Sequence, residues 1–179
     1  MPVEIDRAAL VEQIEIAFAD TLSTKERVQY LNRLPLYSAE TLPYEAEEIE
    51  AVFRRRVWQT VAFETLDQLR DLDPIAEISD EALTYYLPAL LILAVSDPSW
   101  LVNQDTLERR IFGAFVNVTD EQAAVVITFI EFMVAFYSYL IHKPEAFDDP
   151  ALLDIEDIEY RLLMYQDEKR SLSARSSET

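Results

Sequence analysis

Residues 119–142 read TDEQAAVVITFIEFMVAFYSYLIH, and this segment carries the clearest helical signal in the chain. Thr119 and Gln122 have the spacing of a capping box, in which each side chain bonds the other residue's backbone N–H at a helix start. The next nineteen residues carry one charge, Glu131, and no helix breaker. The pattern predicts the longest helix of the chain, which ends near His142.

A helix of this length and hydrophobicity raises the question of a membrane span. Its small and polar residues recur at alternating steps of four and three, so they share one stripe, while large apolar residues occupy the rest. A carboxylate near the bilayer centre would also cost about 2.5 kcal/mol or more. We therefore expect a central helix of a soluble protein with one polar edge. The stripe consists of Ala124, Thr128, Glu131, Ala135, Ser138 and His142.

Outward from this segment, cap signals and helical periodicity predict further helices. Asp6 is a candidate N-cap for a first helix, and Ser79 opens an apolar helix that ends near Asp97. The pair Asp149-Pro150 places proline at the first helical position and opens the last helix. A helical pattern that starts at Tyr44 continues through Trp58, Val61, Leu66 and Leu69 to Asp73-Pro74, with a break in it. The single glycine leaves almost no hairpin-turn chemistry, so no strands are expected.

Length and composition set the size of the fold. The chain has 179 residues, close to the roughly 150 residues that are typical of one domain. Hydrophobic residues make up 50% of it, which is enough for an ordinary core. We predict an all-α fold: a single compact bundle of about five to seven helices over residues 1–168, one of them kinked at Pro88. Residues 169–179 are predicted to form a flexible tail.

Composition also excludes several function classes. The 34 acidic residues outnumber 15 basic ones, for a net charge of -19, and such a surface repels nucleic-acid phosphate and anionic lipid. The absence of cysteine excludes disulfides and thiolate metal sites, and the single histidine excludes two-histidine sites. We expect no enzyme active site, no cofactor, no metal, no direct nucleic-acid binding and no membrane association. Without a signal-like N-terminus, the expected location is the cytoplasm.

Three pieces of sequence stand out as a set. They are Trp58, SDEALTYYLPAL at 79–90, and TDEQ at 119–122 followed by Phe129-Ile130. On these residues, segment 58–137 resembles a bacterial domain-of-unknown-function family, catalogued as six-seven-one-four. The resemblance implies a shared helical fold and no particular activity.

Pro88 lies inside the apolar helix that Ser79 opens. It lacks the N–H that would bond the carbonyl of Thr84, so it predicts a kink. One interpretation is a ligand site at the kink, formed by the freed Thr84 carbonyl and the hydroxyls of Tyr85 and Tyr86. The other is a bend that wraps a core helix around its neighbours, with both tyrosine rings packed inside. We favour the bend.

The sequence leaves three classes of function open. We favour a non-enzymatic interaction or inhibitor module, of the immunity or antitoxin kind, because high negative charge steers association with a basic protein partner. An alternative is a small-molecule binder or enzyme with a site beside the Pro88 kink. A third is a homo-oligomeric scaffold whose small-residue stripe packs against a second copy. The candidate interaction or pocket residues are Trp58, Tyr85, Tyr86, Pro88 and Glu131.

Overall fold

A computed structural model describes residues 6–19, 24–37, 41–54, 56–66, 78–102, 105–147 and 153–175. These residues form nine α-helices and no strand, apart from one isolated bridge between Tyr37 and Ile78, so the all-α prediction is confirmed. Seven of the nine have ten residues or more, within the predicted range for the bundle. The helices are α1 (Arg7–Ala17), α2 (Thr24–Arg33), α3 (Pro43–Phe53), α4 (Phe63–Leu66), α5 (Asp80–Ser96), α6 (Pro98–Val102), α7 (Asp105–Ala114), α8 (Asp120–His142) and α9 (Ile155–Arg175).

The described residues divide into two compact units. The first unit takes them from Met1–Ala17, Ala94–Asn103 and Val118–Thr179. The second takes them from Phe18–Leu93 and Gln104–Asn117. The expectation of a single domain stays a prediction.

The first unit is organised around α8. Its start is the predicted capping box: Thr119 Oγ1 accepts from the Gln122 N–H at 3.3 Å, and Gln122 Oε1 accepts from the Thr119 N–H at 3.0 Å. Most of its large apolar residues are buried, among them Phe129, Ile130 and Tyr137, and it contacts α1 and α9. Along the polar stripe, Glu131 and His142 are exposed, as expected for an edge. By length and composition α8 could also cross a membrane, a criterion that the core helix of a soluble protein meets equally well.

The last helix, α9, begins later than the sequence indicated. Asp154 caps it, because its Oδ1 accepts from the backbone N–H groups of Glu156 and Asp157 at 3.0 and 3.3 Å. The pair Asp149-Pro150 lies outside the described residues. Aspartate favours the N-cap position, and both Asp149 and Asp154 offer that side chain. The aspartate that bonds to the described first turn of α9 is Asp154.

The same helix also ends later than predicted. It continues to Arg175, past residue 168, where the sequence placed the end of the helical domain. Leu172 is fully buried, and its burial stabilises the extra turns. Residues 169–175 of the predicted flexible tail are therefore helical.

In the second unit, Ser79 starts α5. Its hydroxyl accepts from the Ala82 N–H at 3.0 Å and donates to the carbonyl of Pro35, while its own N–H donates to the Leu36 carbonyl at 3.0 Å. Pro88 is buried inside this helix, which continues to Ser96. Pro88 is therefore a position within one helix, as predicted, and not a turn between two.

The break expected in the helical pattern through Trp58 lies at the short 3-10 turn Trp58–Thr60, and α4 follows it at Phe63–Leu66. The rest of the pattern, as far as Pro74, lies outside the described residues. Val57 before the turn and Val61 after it adopt extended backbone. Because β-branched side chains lose rotamer freedom in a helix, these two valines favour the interruption. Trp58 and Val61 are nevertheless buried, so their helix-like spacing reflects burial rather than helical structure.

Candidate functional site

Two neighbouring clefts open at the first turn of α5, within the second unit. Asp80, Thr84 and Asn117 line both of them. One, which we call the aromatic cleft, has a volume of about 370 Å³ and is also lined by Tyr30 and Glu81. The other, which we call the arginine cleft, has a volume of about 310 Å³. Its remaining lining residues are Leu83, Arg109, Arg110, Gly113 and Ala114.

A short chain of polar contacts lies where the two clefts meet. Thr84 Oγ1 donates to the backbone carbonyl of Asp80 at 2.9 Å, one turn earlier in α5. Asn117 Nδ2 lies 3.5 Å from the same Thr84 oxygen, at donor–acceptor distance. Asn117 belongs to the 3-10 turn Phe115–Asn117 that follows α7. These contacts place the hydrogen-bonding side chains of Thr84 on α5 and of Asn117 in that turn next to each other, where both line the two clefts.

Arg110 fixes α7 to the beginning of α5. Its Nη2 donates to the carbonyl of Ile78 at 2.7 Å and to Asp80 Oδ1 at 3.0 Å. The Asp80 side chain is still 91% exposed, so most of the carboxylate faces solvent. Arg110 thus links α7 to the start of α5 through the Ile78 carbonyl and Asp80, while Asp80 remains accessible at the rim of both clefts.

A row of aromatic rings leads from the core of the second unit to the aromatic cleft. The ring centroids of Phe53 and Tyr86 are 4.9 Å apart, those of Tyr86 and Tyr85 are also 4.9 Å apart, and those of Tyr85 and Tyr30 are 5.5 Å apart. Tyr85 meets Tyr86 edge to face, a favoured arrangement for aromatic pairs. Tyr30, the last ring of the row, is 41% exposed and lines the cleft.

The hydroxyl of Tyr86 lies at the buried end of this row. It donates to the carbonyl of Phe53 at 2.9 Å and lies 3.0 Å from the carbonyl of Arg56. Burial raises the pKa of Tyr86 well above its ordinary value, because the phenolate would be desolvated there. The group is therefore a protonated hydrogen-bond donor at neutral pH.

The residues singled out from the sequence take different positions. Tyr85 and Tyr86 lie together in the aromatic row, directly behind Tyr30, and neither lines the two clefts. Trp58 and Pro88 are buried and also lie outside both cleft linings. Glu131 is in the first unit, exposed, with its Oε1 2.6 Å from Lys169 Nζ. The structure thus brings together two of the five.

Of the residues that line the two clefts, sequence reasoning placed only Thr84 at a possible ligand site, and it missed the others, Tyr30 and Asn117 among them. Tyr30 reaches the cleft through a ring contact with a residue 55 positions away, which no local pattern encodes. One signal was present: the only glycine of the chain, Gly113, lies in α7, where glycine is unfavourable. A Cβ built at Gly113 meets nothing within 4 Å, so the position faces open space at the arginine cleft.

The described residues contain no group of three His, Asp or Glu side chains that could hold a metal ion. Comparison with known proteins found no matching family model, no matching curated protein and no matching solved structure. The resemblance of residues 58–137 to the family catalogued as six-seven-one-four stays a prediction.

Proposed function

We propose that this chain is a non-enzymatic interaction module, of the inhibitor kind, that binds a basic protein partner. The observation that carries the proposal is the imbalance of exposed charge. Among the described side chains, eighteen acidic residues are exposed against five basic ones. An acidic surface of this kind accelerates association with a cationic surface by electrostatic steering.

The imbalance has a structural cause, since several arginines bond to the chain's own backbone. Arg54 Nη1 donates to the carbonyls of Leu31 and Leu34 at 3.0 and 2.8 Å, at the end of α2. Its Nε donates to Glu50 Oε2 at 2.6 Å, and this pairing lowers the pKa of Glu50. One guanidinium therefore caps a helix and neutralises a carboxylate within the second unit.

Arg161 does the same in the first unit. Its side chain is buried, its Nη1 donates to the Val102 carbonyl at the end of α6 at 3.0 Å, and its Nε donates to Asp157 Oδ2 at 2.6 Å. Arg7 Nη1 lies 3.4 Å from the carbonyl of Ser96 at the end of α5. Because these arginines bond within the protein, few basic side chains are exposed, and carboxylates outnumber them on the described surface.

Capture of partners from the native host tests this function. The full chain, immobilised through a tag, should retain one or a few basic proteins that elute as salt is raised, because screening removes long-range attraction. Each captured protein is then made pure and titrated against the full chain at 50 and 300 mM salt. Binding that weakens with salt supports the proposal, while partners that are acidic, or binding that does not respond to salt, would overturn it.

A further inference from the structure

We propose that the aromatic cleft receives the side chain of a lysine or arginine presented by the basic partner. The inference rests on the proposed function and names the surface that carries it. The site consists of Tyr30, Asp80, Glu81, Thr84 and Asn117.

The lining has the chemistry of a cation site. Among the described residues that line this cleft, two are acidic and none is basic. Tyr30 adds an aromatic ring, whose face attracts ammonium and guanidinium groups. Thr84 and Asn117 add a hydroxyl and an amide, and their oxygens accept hydrogen bonds from such donors. In this cleft the carboxylates attract the positive charge of a basic side chain, the ring packs against its charged group, and the oxygens of Thr84 and Asn117 accept from its N–H groups.

The site is also held in place before any partner arrives. The Tyr30 ring packs on Tyr85, which packs edge to face on Tyr86, whose hydroxyl is bonded in the core. Arg110 holds Asp80 through one carboxylate oxygen and the Ile78 carbonyl. Groups that are already ordered lose little conformational entropy on binding, which raises affinity.

The shape of the cleft favours a side chain over a whole small molecule. Asp80 and Glu81 are exposed, and Tyr30 is partly so, which makes them a rim and not an enclosed wall. A pocket that buries most of a free ligand is enclosed and mainly apolar. An open, acidic rim suits the tip of a long basic side chain whose remaining contacts come from the partner's own surface.

Two probes and matched variants test the site. Isotope-labelled full chain is titrated with octa-arginine and, separately, with N-acetyl-arginine amide, while amide signals are followed by NMR. The signals of Thr84 and Asn117 should shift with both probes, and octa-arginine should bind more tightly. Glu81→Gln removes one charge from the cleft, and Glu48→Gln removes the same charge from an exposed position on α3 outside its lining.

We expect Glu81→Gln to weaken octa-arginine binding about threefold more than Glu48→Gln does. Tyr30→Leu should weaken it about threefold without any change of charge, while Tyr30→Phe, which keeps the ring, should bind like the wild type. If the two glutamine variants had equal effects and Tyr30→Leu had none, the assignment of the aromatic cleft as the binding site would be wrong. The proposed function would be unaffected by that result. No binding of octa-arginine would count against the proposed function itself. Binding of N-acetyl-arginine amide with no gain for octa-arginine would indicate a small organic cation and overturn the side-chain assignment.

Discussion

The hydroxyl of Tyr86 on α5 donates to the carbonyl oxygen of Phe53, the last residue of α3, across a distance of 2.9 Å. The carbonyls at a helix end have no partner within the helix, so they need one from elsewhere. The Phe53 carbonyl accepts from the Arg56 N–H at 3.0 Å and also from the Tyr86 hydroxyl. The second bond comes from a residue 33 positions away and connects α3 to α5 at the base of the aromatic row.

Tyr86→Phe should destabilise the protein by about 1–2 kcal/mol, because it removes one buried donor and keeps the ring. The free energy of unfolding measured in urea checks this. Tyr160→Phe is the matched control, because Tyr160 is 53% exposed and should change stability by less than about 0.5 kcal/mol. Equal effects of the two variants would show that the Tyr86 hydroxyl contributes nothing in the core.

Arg161→Met should cost about 2–4 kcal/mol. The change leaves the Val102 carbonyl without this donor and Asp157 without its counter-ion, at a side chain that is 9% exposed. Arg170→Met serves as the control, because Arg170 pairs with Asp167 on a surface where its side chain is 75% exposed. Such exposed pairs contribute little. Similar losses in the two variants would show that burial of Arg161 has no energetic consequence.

Gly113→Ala should stabilise the protein by about 0.5–1 kcal/mol. Alanine loses less backbone entropy than glycine on entering a helix, and the added methyl meets no atom within 4 Å. Thermal unfolding of the two proteins at one pH measures the difference. A lower melting temperature for the variant would mean that the open space beside Gly113 is occupied in solution.

Pro88→Ala should change the free energy of unfolding by no more than about 1.5 kcal/mol in either direction. Roughly 3 kcal/mol of helix propensity is gained, against repacking strain of about 1–3 kcal/mol in a core built around proline. Pro88 is buried within α5, so both contributions apply. Unfolding in urea measures the net effect, and a loss of several kcal/mol would contradict this balance.

Mild acid should stabilise the fold. Protonation relieves repulsion among the acidic residues, and burial raises the pKa of Glu168, so its stabilising proton binds as pH falls through that raised value. The Arg54 contact lowers the pKa of Glu50, so the stability contributed by this ion pair is lost only when the pH falls below the ordinary glutamate pKa of 4.5. Melting temperature should rise from pH 7 to 5.5, and rise less in Glu168→Gln. A steady fall over this range would indicate that paired carboxylates dominate.

Local signals were predictable from the sequence, and contacts between distant residues were not. The Thr119 and Gln122 capping box lies within one turn, so its four-residue pattern was enough to place the start of α8. The contact of Tyr30 with Tyr85, by contrast, depends on how two helices approach each other. The apolar spacing after Trp58 indicated the burial of Trp58 and Val61 correctly, but it could not place the break, because a buried 3-10 turn and a helix leave the same pattern over a few residues.

The bond between Arg161 and Val102 has a consequence for the order of synthesis. The donor follows the acceptor by 59 residues, so the end of α6 leaves the ribosome long before its capping guanidinium exists. The first unit also takes α1 and α9 from positions far apart in the chain, and α8 contacts both. All described residues of the second unit precede residue 118, so its polypeptide is complete at an earlier stage of translation. Of the two units, the one built on α8 is therefore the last to be finished as the chain emerges.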